Sequence, residues 1–184
     1  MGPAKLAIMD EIMSSLKIHF NILAGYNAWA NERLYSCVGQ IDSDAYRKDC
    51  GAFFGSIEAT LNHLLVTDKI WRHRLNALPE TGYRLDEILF DNDFPGLGLA
   101  RKEEDEKIVD FILGLSEADL DSTISYRRAS APELKQQVIW SALAHWFNHQ
   151  THHRGQAHAM LSRVSGKAPE LDLLVYQRQQ KNNN

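Results

Sequence analysis

Histidine is the residue type whose number and spacing in this chain could support chemistry. Eight histidines occur in 184 residues, and five of them fall between His145 and His158. Within that stretch, His145 and His149, and also His149 and His153, are separated by one helical turn. Two imidazoles at this spacing stack on one helix face and can bind the same ion. Such pairs are more often solvated than metal-bound, so the spacing alone favours a metal site only weakly.

Helical phase distinguishes these histidines from one another. At about 100° per residue, the apolar side chains of the segment share one arc. The residues on that arc are Ile139, Ala142, Leu143, Trp146, Ala157, Met160 and Leu161. His149 and His153 fall on its edge or within it, whereas His145 and His152 point further toward solvent. We therefore predict that His149 and His153 face the interior.

A third ligand must come from another helix. His63 is the best candidate because it lies midway along the predicted second helix, at the margin of its apolar stripe, and His19 is a weaker choice. Three neutral imidazoles suit zinc, nickel, copper or iron(II), and they leave coordination positions open for water or substrate. With an ordinary imidazole pKa of about 6.5, metal affinity is expected to fall below about pH 6.

Apolar periodicity predicts four helices that would position these histidines. The expected spans are about 12–37, 55–76, 101–113 and 132–164, the last with Pro132 in its first turn and Gly166 at its end. With almost no strand signal, this pattern predicts an all-α four-helix bundle.

The connections between these helices carry their own predictions. Residues 79–100 are rich in proline and glycine, and we interpret them as a lid or binding loop. Residues 122–131 are expected to be extended, and the C-terminal tail could form one more short helix. The chain is expected to be a single domain over residues 1–184, with its core at about 10–177.

Composition excludes several classes of function. The apolar fraction of 44% and the charged fraction of 24% are ordinary for a globular protein. The formal charge is −4, and the basic residues form no stripe, so nucleic acid is not an expected partner. No apolar run approaches the ~20 residues that span a bilayer, and no secretory signal is evident. With only two cysteines, a cytoplasmic protein without membrane contact is expected.

Three other positions are candidates for supporting roles. Asp68 shares the phase of buried leucines, so its carboxylate is expected to accept hydrogen bonds from Asn27 or Asn31, or to pair with an arginine. Alternatively, Asp68 could orient the imidazole of a metal-binding histidine. Gly155 is expected to allow close approach of a neighbouring helix. Gln156 lies near the histidine arc, where it could orient a ligand or simply mark a polar boundary.

The segment HWFNHQTHHRGQAHAML, from His145 to Leu161, resembles the signature helix of the DinB/YfiT-like family. The similarity extends to YNAWANERL, FGSIEATLNHLLVTDKIWRHRL and LDLLVY, so it covers nearly the whole chain. The resemblance implies a four-helix bundle with long connections, often found as a homodimer. It also implies a metal held by one histidine of the second helix and an HxxxH pair. These correspond to His63, His149 and His153.

Motifs that would name a reaction are missing. The segment HQTHH lacks the glutamate of a metalloprotease helix, and the chain has neither the E-x-x-H pairs of a di-iron bundle nor a phosphate-binding glycine loop. We expect one divalent transition metal, zinc or nickel before iron, manganese or copper.

The leading interpretation is a metal-dependent enzyme of small molecules, and the catalytic residues are not predicted. Relatives implied by the resemblance, such as mycothiol-dependent maleylpyruvate isomerase, suggest S-transfer with a low-molecular-weight thiol. Metal-assisted hydrolysis is the other enzymatic possibility. The alternative is a non-catalytic metal-binding or stress-response protein in which the metal only stabilises the bundle.

Overall fold

The structure, a computed structural model, describes residues 3–128 and 131–182, and the side chains of residues 15–127 and 133–182. Over these residues the chain forms seven helices and one pair of antiparallel strands. The elements are α1 (Pro3–Val38), α2 (Ser43–Arg47), α3 (Ile57–Leu75), α4 (Phe94–Gly114), α5 (Glu117–Asp121), β1 (Thr123–Arg128), β2 (Ala131–Val138), α6 (Ile139–Ser165) and α7 (Leu173–Asn182).

The four long helices form the bundle. Helix α1 packs against α4 and α6, and α3 packs against the same two helices. The order around the bundle is therefore α1, α4, α3, α6, with α1 diagonal to α3 and α4 diagonal to α6. The predicted all-α bundle is confirmed, with the small β1–β2 pair as an addition. None of the described helices is long and apolar enough to cross a membrane.

The predicted start of the last long helix at Pro132 is wrong. Residues Ala131–Val138 form β2, which pairs with β1, and α6 begins only at Ile139. The described side chains of β2 include none that is buried, so a helix here would bury no apolar stripe against the bundle. Pairing with β1 satisfies the backbone instead. The predicted extended conformation of the segment before it is confirmed for Thr123–Arg128.

The predicted start of the third long helix near Arg101 is also wrong, because α4 already begins at Phe94. The side chain of Asp93 accepts a hydrogen bond from the backbone N–H of Gly96 at 2.9 Å, and Pro95 lies in the first turn. Proline is tolerated there because the first N–H groups of a helix have no intrahelical partner. The loop predicted over 79–100 therefore ends at residue 93.

A layer of buried polar residues crosses the bundle and has members on all four long helices. Apolar clusters lie on both sides of it, one containing Trp71 and Trp146 and the other Leu61 and Leu161. We call these polar residues the polar layer. Its members are Asn27 and Asn31 on α1, Asp68 on α3, Arg101 and Asp105 on α4, and Gln150 and Arg154 on α6.

Asp68 is the central acceptor of the polar layer. Its carboxylate accepts hydrogen bonds from Arg101 Nη1 at 2.6 Å, from Trp146 Nε1 at 2.6 Å and from the Gln150 amide. Arg101 also forms an ion pair with Asp105, at 3.0 Å between Nη2 and Oδ1. Burial raises the pKa of Asp68 to about 6 while Arg101 opposes the shift, so the carboxylate is ionised at neutral pH. The predicted pairing with an arginine is confirmed.

The expectation that Asn27 or Asn31 donates a hydrogen bond to Asp68 is wrong. Both side chains bind Asp105 instead. Their amide groups donate to the Asp105 carboxylate at 3.1 and 3.0 Å. Their side-chain oxygens accept hydrogen bonds from Arg154 Nη1 at 2.6 and 3.1 Å. The layer thus joins two carboxylates to two guanidinium groups, and its formal charges balance.

We expect Arg101→Met to lower the free energy of unfolding by about 3–5 kcal/mol, because it leaves the buried carboxylates of Asp68 and Asp105 without their shared cation. Urea unfolding monitored by circular dichroism measures the change. Lys107→Met is the matched control on the same helix, since Lys107 pairs with Glu103 at an exposed position, and its effect should stay within about 1 kcal/mol. Equal effects of the two substitutions would contradict this role of the polar layer.

Candidate metal centre

Helices α3 and α6 bring three histidines together at one point of their interface. One ring nitrogen from each of His63, His149 and His153 lies within 4.8 Å of the others. His63 is buried, and the other two are half-buried. His145 and His152, which helical phase placed toward solvent, are exposed. The same is true of His19, the weaker candidate for a third ligand.

The backbone of the α3–α4 loop fixes the tautomer of His63. Its Nδ1 atom lies 2.6 Å from the carbonyl oxygen of Leu85. A carbonyl oxygen can only accept, so Nδ1 carries the proton and donates it. The lone pair of His63 is then on Nε2, which faces His149 at 3.3 Å from its Nε2 atom.

Gln156 fixes the tautomer of His153 in the same way. The amide nitrogen of Gln156 lies 3.2 Å from Nε2 of His152 and can only donate, which leaves its Oε1 atom to accept from Nδ1 of His153 at 2.8 Å. His153 therefore also carries its proton on Nδ1 and its lone pair on Nε2. The sequence-based interpretation that Gln156 orients a ligand imidazole agrees with these contacts.

His149 is the histidine whose protonation is not fixed by a neighbour. Its Nδ1 atom is buried and has no hydrogen-bond partner among the described residues. Its Nε2 atom can donate to His63, or it can present a lone pair to a cation when the proton sits on Nδ1. Two ligands at about 2.0–2.1 Å from a tetrahedral zinc are about 3.4 Å apart, close to the 3.3 Å between the two Nε2 atoms. The three residues therefore fit a metal ion that binds imidazole nitrogen.

Burial keeps these imidazoles neutral. It lowers the pKa of His63 to about 4, partly opposed by the hydrogen bond to Leu85. Burial, with the neighbouring histidines, lowers the pKa of His149 to about 3, and burial also lowers the pKa of His153. Neutral imidazole is the form that binds metal. Because these values lie below that of an ordinary histidine, proton competition moves below the pH 6 expected from sequence.

The turn before α3 places an aromatic ring against the histidines. Gly51 and Gly55 adopt φ of +70° and +77°, a conformation that favours glycine, and Ser56 caps the helix by accepting from Ala59 N at 3.1 Å. This turn positions Phe54 so that its ring stacks on His63, with 3.9 Å between centroids. The Phe54 ring also lies 5.4 Å from that of His153. Phe54 therefore forms an apolar wall of the site.

Two further residues of α3 hold the loop that contacts His63. Asn62 Oδ1 accepts from the backbone N–H of Phe90 at 3.0 Å, and Glu58 Oε1 accepts from that of Asn92 at 2.8 Å. The loop predicted as a lid thus lies against α3, and its Leu85 carbonyl reaches the site. Sequence analysis did not identify Phe54, Asn62 or Glu58. For Asn62 and Glu58 the available signal was their polarity close to His63, on a helix that is buried on nearly all sides.

One supporting prediction near the site is wrong. Gly155 was expected to allow close approach of another helix, but it is exposed, and a Cβ atom there would meet nothing within 4 Å. The glycine lies on the outer side of α6, so the neighbouring helices impose no need for it.

The fold and the site together define a helical-bundle protein with a three-histidine group that could hold a metal ion. The chain belongs to the DinB family, whose sequence profile matches residues 13–184. It is 26% identical over 161 residues to Protein DinB of Bacillus subtilis (strain 168), in an alignment that covers 82% of this chain and 89% of that protein. The resemblance drawn from the histidine-rich helix is confirmed.

We expect the purified, untagged protein to bind one zinc or nickel ion per chain through His63, His149 and His153. Alanine at any of these positions should remove stoichiometric binding, because two imidazoles alone hold the ion weakly. His145→Ala and His152→Ala are the matched controls on the same helix and should retain it. Elemental analysis after reconstitution and dialysis measures the ratio, and loss of metal only in the two controls would disprove this choice of ligands.

The pH dependence of metal stabilisation follows from the lowered pKa values. Metal that binds only the folded chain raises its melting temperature, so metal-loaded protein should melt above metal-free protein at pH 7.5. The difference should persist at about pH 5.5, because His63 and His149 take up protons in the folded chain only near their pKa values of about 4 and 3. It should close as the pH approaches about 4.

Metal-free protein should also lose stability as the pH falls from about 6.5, since histidines of an unfolded chain take up protons before the buried ones do. Differential scanning calorimetry at several pH values measures both effects. His63→Ala should abolish the metal-dependent difference at every pH, because it removes the ligand that α3 contributes. A difference that already vanishes at about pH 6 would show that the histidines titrate as ordinary exposed groups.

Proposed function

We propose that this chain is a metal-dependent enzyme acting on small molecules, with one zinc or nickel ion held by His63, His149 and His153. The observation that carries the proposal is the composition and exposure of the group. It contains three imidazoles, and no cysteine, aspartate or glutamate completes it among the described residues. Three protein ligands at a half-exposed position leave room for a substrate or water at the ion, as in catalytic rather than structural zinc sites.

The residues around the site have complementary roles in this proposal. A metal bound here would polarise a substrate carbonyl or lower the pKa of a bound water or thiol. Leu85 and Gln156 hold the imidazoles of His63 and His153 with their Nε2 atoms inward. The Phe54 ring stacks on His63 and so shields one side of these two imidazoles from water. Such orienting contacts typically raise metal affinity and activity.

Thiol S-transfer is the reaction class that we favour, and hydrolysis is the second. Nitrogen ligands with an open position suit zinc or nickel, and both ions accept a thiolate readily. The apolar wall formed by Phe54 suits a substrate with an apolar carbon skeleton better than it suits a highly charged substrate. The low-molecular-weight thiol itself comes from the family resemblance and stays a prediction, as does the homodimer.

The alternative is a non-catalytic metal-binding protein. The observation that favours it is that the three ligands come from two different helices, so that a metal would link α3 to α6. A structural metal would be expected to have a closed coordination shell. Whether the ion has an exchangeable position therefore separates the two functions.

We expect cobalt(II)-substituted protein to change its visible spectrum on addition of a small thiol, because the thiolate would enter the open position and give a sulfur-to-metal charge-transfer band. Metal-loaded protein should then consume thiol in the presence of an electrophile, measured by loss of free thiol. His153→Ala should remove both signals, and His152→Ala should keep both. A cobalt spectrum that no thiol, water-competing anion or electrophile alters would favour the structural role instead.

A further inference from the structure

The α3–α4 loop, residues 76–93, contacts the candidate metal centre but buries little of its own surface. It contains no helix or strand, and none of its side chains is buried. Leu89 and Phe90 pack against an apolar cluster but are only partly buried, and Leu85 is 53% exposed. Segments with few buried apolar contacts open at a low free-energy cost. The position of this loop therefore depends strongly on its hydrogen bonds.

Three backbone groups of the loop form hydrogen bonds with side chains of α3. The pairs are the carbonyl of Leu85 with His63, the N–H of Phe90 with Asn62, and the N–H of Asn92 with Glu58. Glu58 and Asn62 are one helical turn apart, and His63 directly follows Asn62, so these side chains are neighbours on α3. We call the loop closed when all three contacts are formed. The contacts of Glu58 and Asn62 thus hold the segment that supplies the acceptor for His63.

Glu58 and Asn62 are themselves fixed in place. Asn62 is fully buried, and its amide nitrogen donates to the carbonyl oxygen of Glu58 at 3.0 Å, which leaves its side-chain oxygen for the loop. Glu58 is 7% exposed, and its Oε2 atom lies 3.3 Å from Nε of Arg47. Arg47 also pairs with Asp91 of the loop, at 3.6 Å between Nη2 and Oδ1. A buried acceptor that loses its partner costs free energy, so both side chains favour the closed loop.

A metal ion and the loop would bind opposite nitrogens of the same imidazole. His63 donates from Nδ1 to Leu85, and its Nε2 atom faces His149. A cation at Nε2 withdraws electrons from the ring, which makes the Nδ1–H group a stronger donor. The hydrogen bond to Leu85 also fixes the ring, so less freedom is lost when an ion binds. Each event therefore favours the other, and the factor is the same in both directions.

We propose that Asn62 and Glu58 are positioning residues of the metal centre, which act on the ion through the Leu85 carbonyl and His63. They keep the α3–α4 loop closed, and the closed loop holds the His63 imidazole in its metal-binding orientation. A bound ion in turn strengthens the hydrogen bond that keeps the loop closed. The inference rests on the metal site of the proposed function, and it adds that the loop controls how firmly the ion is held.

The zinc affinity of the full chain, measured by competition with a chromophoric chelator at pH 7.5, tests the two side chains. Asn62→Leu, which approximately keeps the shape but removes the acceptor for Phe90, should weaken zinc binding about tenfold. Glu58→Met should weaken it by several-fold. Glu58→Gln should retain most of the affinity, because its amide oxygen can still accept from the N–H of Asn92.

Arg72→Met is the matched control on the same helix. The Arg72 side chain contacts Glu104 of α4, at 2.6 Å between Nε and Oε1, rather than the loop. Its loss leaves a buried carboxylate with a weaker partner, so it should lower the free energy of unfolding. The zinc affinity should stay unchanged, which separates positioning of His63 from a general loss of stability.

Hydrogen exchange of the wild-type chain, with and without zinc, tests the reciprocal effect. Zinc should slow exchange of the Phe90 and Asn92 amides by several-fold, because opening the loop would break the strengthened bond to His63. The amide of Ser116, which donates to Asp119 at 2.8 Å in the turn before α5, is the internal control and should exchange at the same rate in both forms.

The outcomes separate this inference from the proposed function. A wild-type chain that binds no zinc would overturn both. If the wild-type chain binds zinc, the coupling alone is overturned by equal affinity in Glu58→Met and Glu58→Gln, or by loop amides that zinc does not slow. An equal loss of affinity in Arg72→Met and Asn62→Leu would also overturn it. If Asn62→Leu does not fold, the two Glu58 variants and the exchange of the wild-type chain decide the question.

Discussion

The polar layer is the constraint on which the rest of the bundle depends. Asp68, Asp105, Arg101 and Arg154 are each at least nine-tenths buried, and a buried charge is tolerated only when it is paired and hydrogen-bonded. Apolar side chains alone would be compatible with several rotations and shifts of one helix against another. The charged groups are compatible only with the arrangement in which each of them contacts its partners, so they fix the register of α1, α3, α4 and α6 together.

The same constraint orients the candidate metal centre. Gln150 and Arg154 follow His149 and His153 directly in α6, and both are held inward by partners on other helices. Successive helical residues differ by about 100°, so holding these two inward turns the preceding histidines toward α3. The position of the imidazoles is thus set by groups that take no part in binding a metal.

Features that follow from hydrophobic periodicity could be predicted from the sequence. Features that depend on which groups pair across the fold could not. The arc of apolar residues in α6 was enough to select His149 and His153 over His145, because burial follows helical phase. Pro132 was misinterpreted because its suitability for a first helical turn says nothing about whether that helix would have a face to bury. The tautomers of the site were beyond sequence, since the Leu85 carbonyl that fixes His63 belongs to a loop without periodicity.

The presence of the polar layer bears on the choice between a catalytic and a structural metal. A structural ion is needed where a fold lacks other means of specifying its contacts, as in very small domains. Here α3 and α6 are already joined by Trp146 and Gln150, which both donate to Asp68 beside the site. A link through His63 would duplicate a connection that exists without it. Independent contacts orient the imidazoles of His63 and His153, and those of His149 and His153 are half-buried rather than enclosed, which supports the proposal that a bound ion would be open to a substrate.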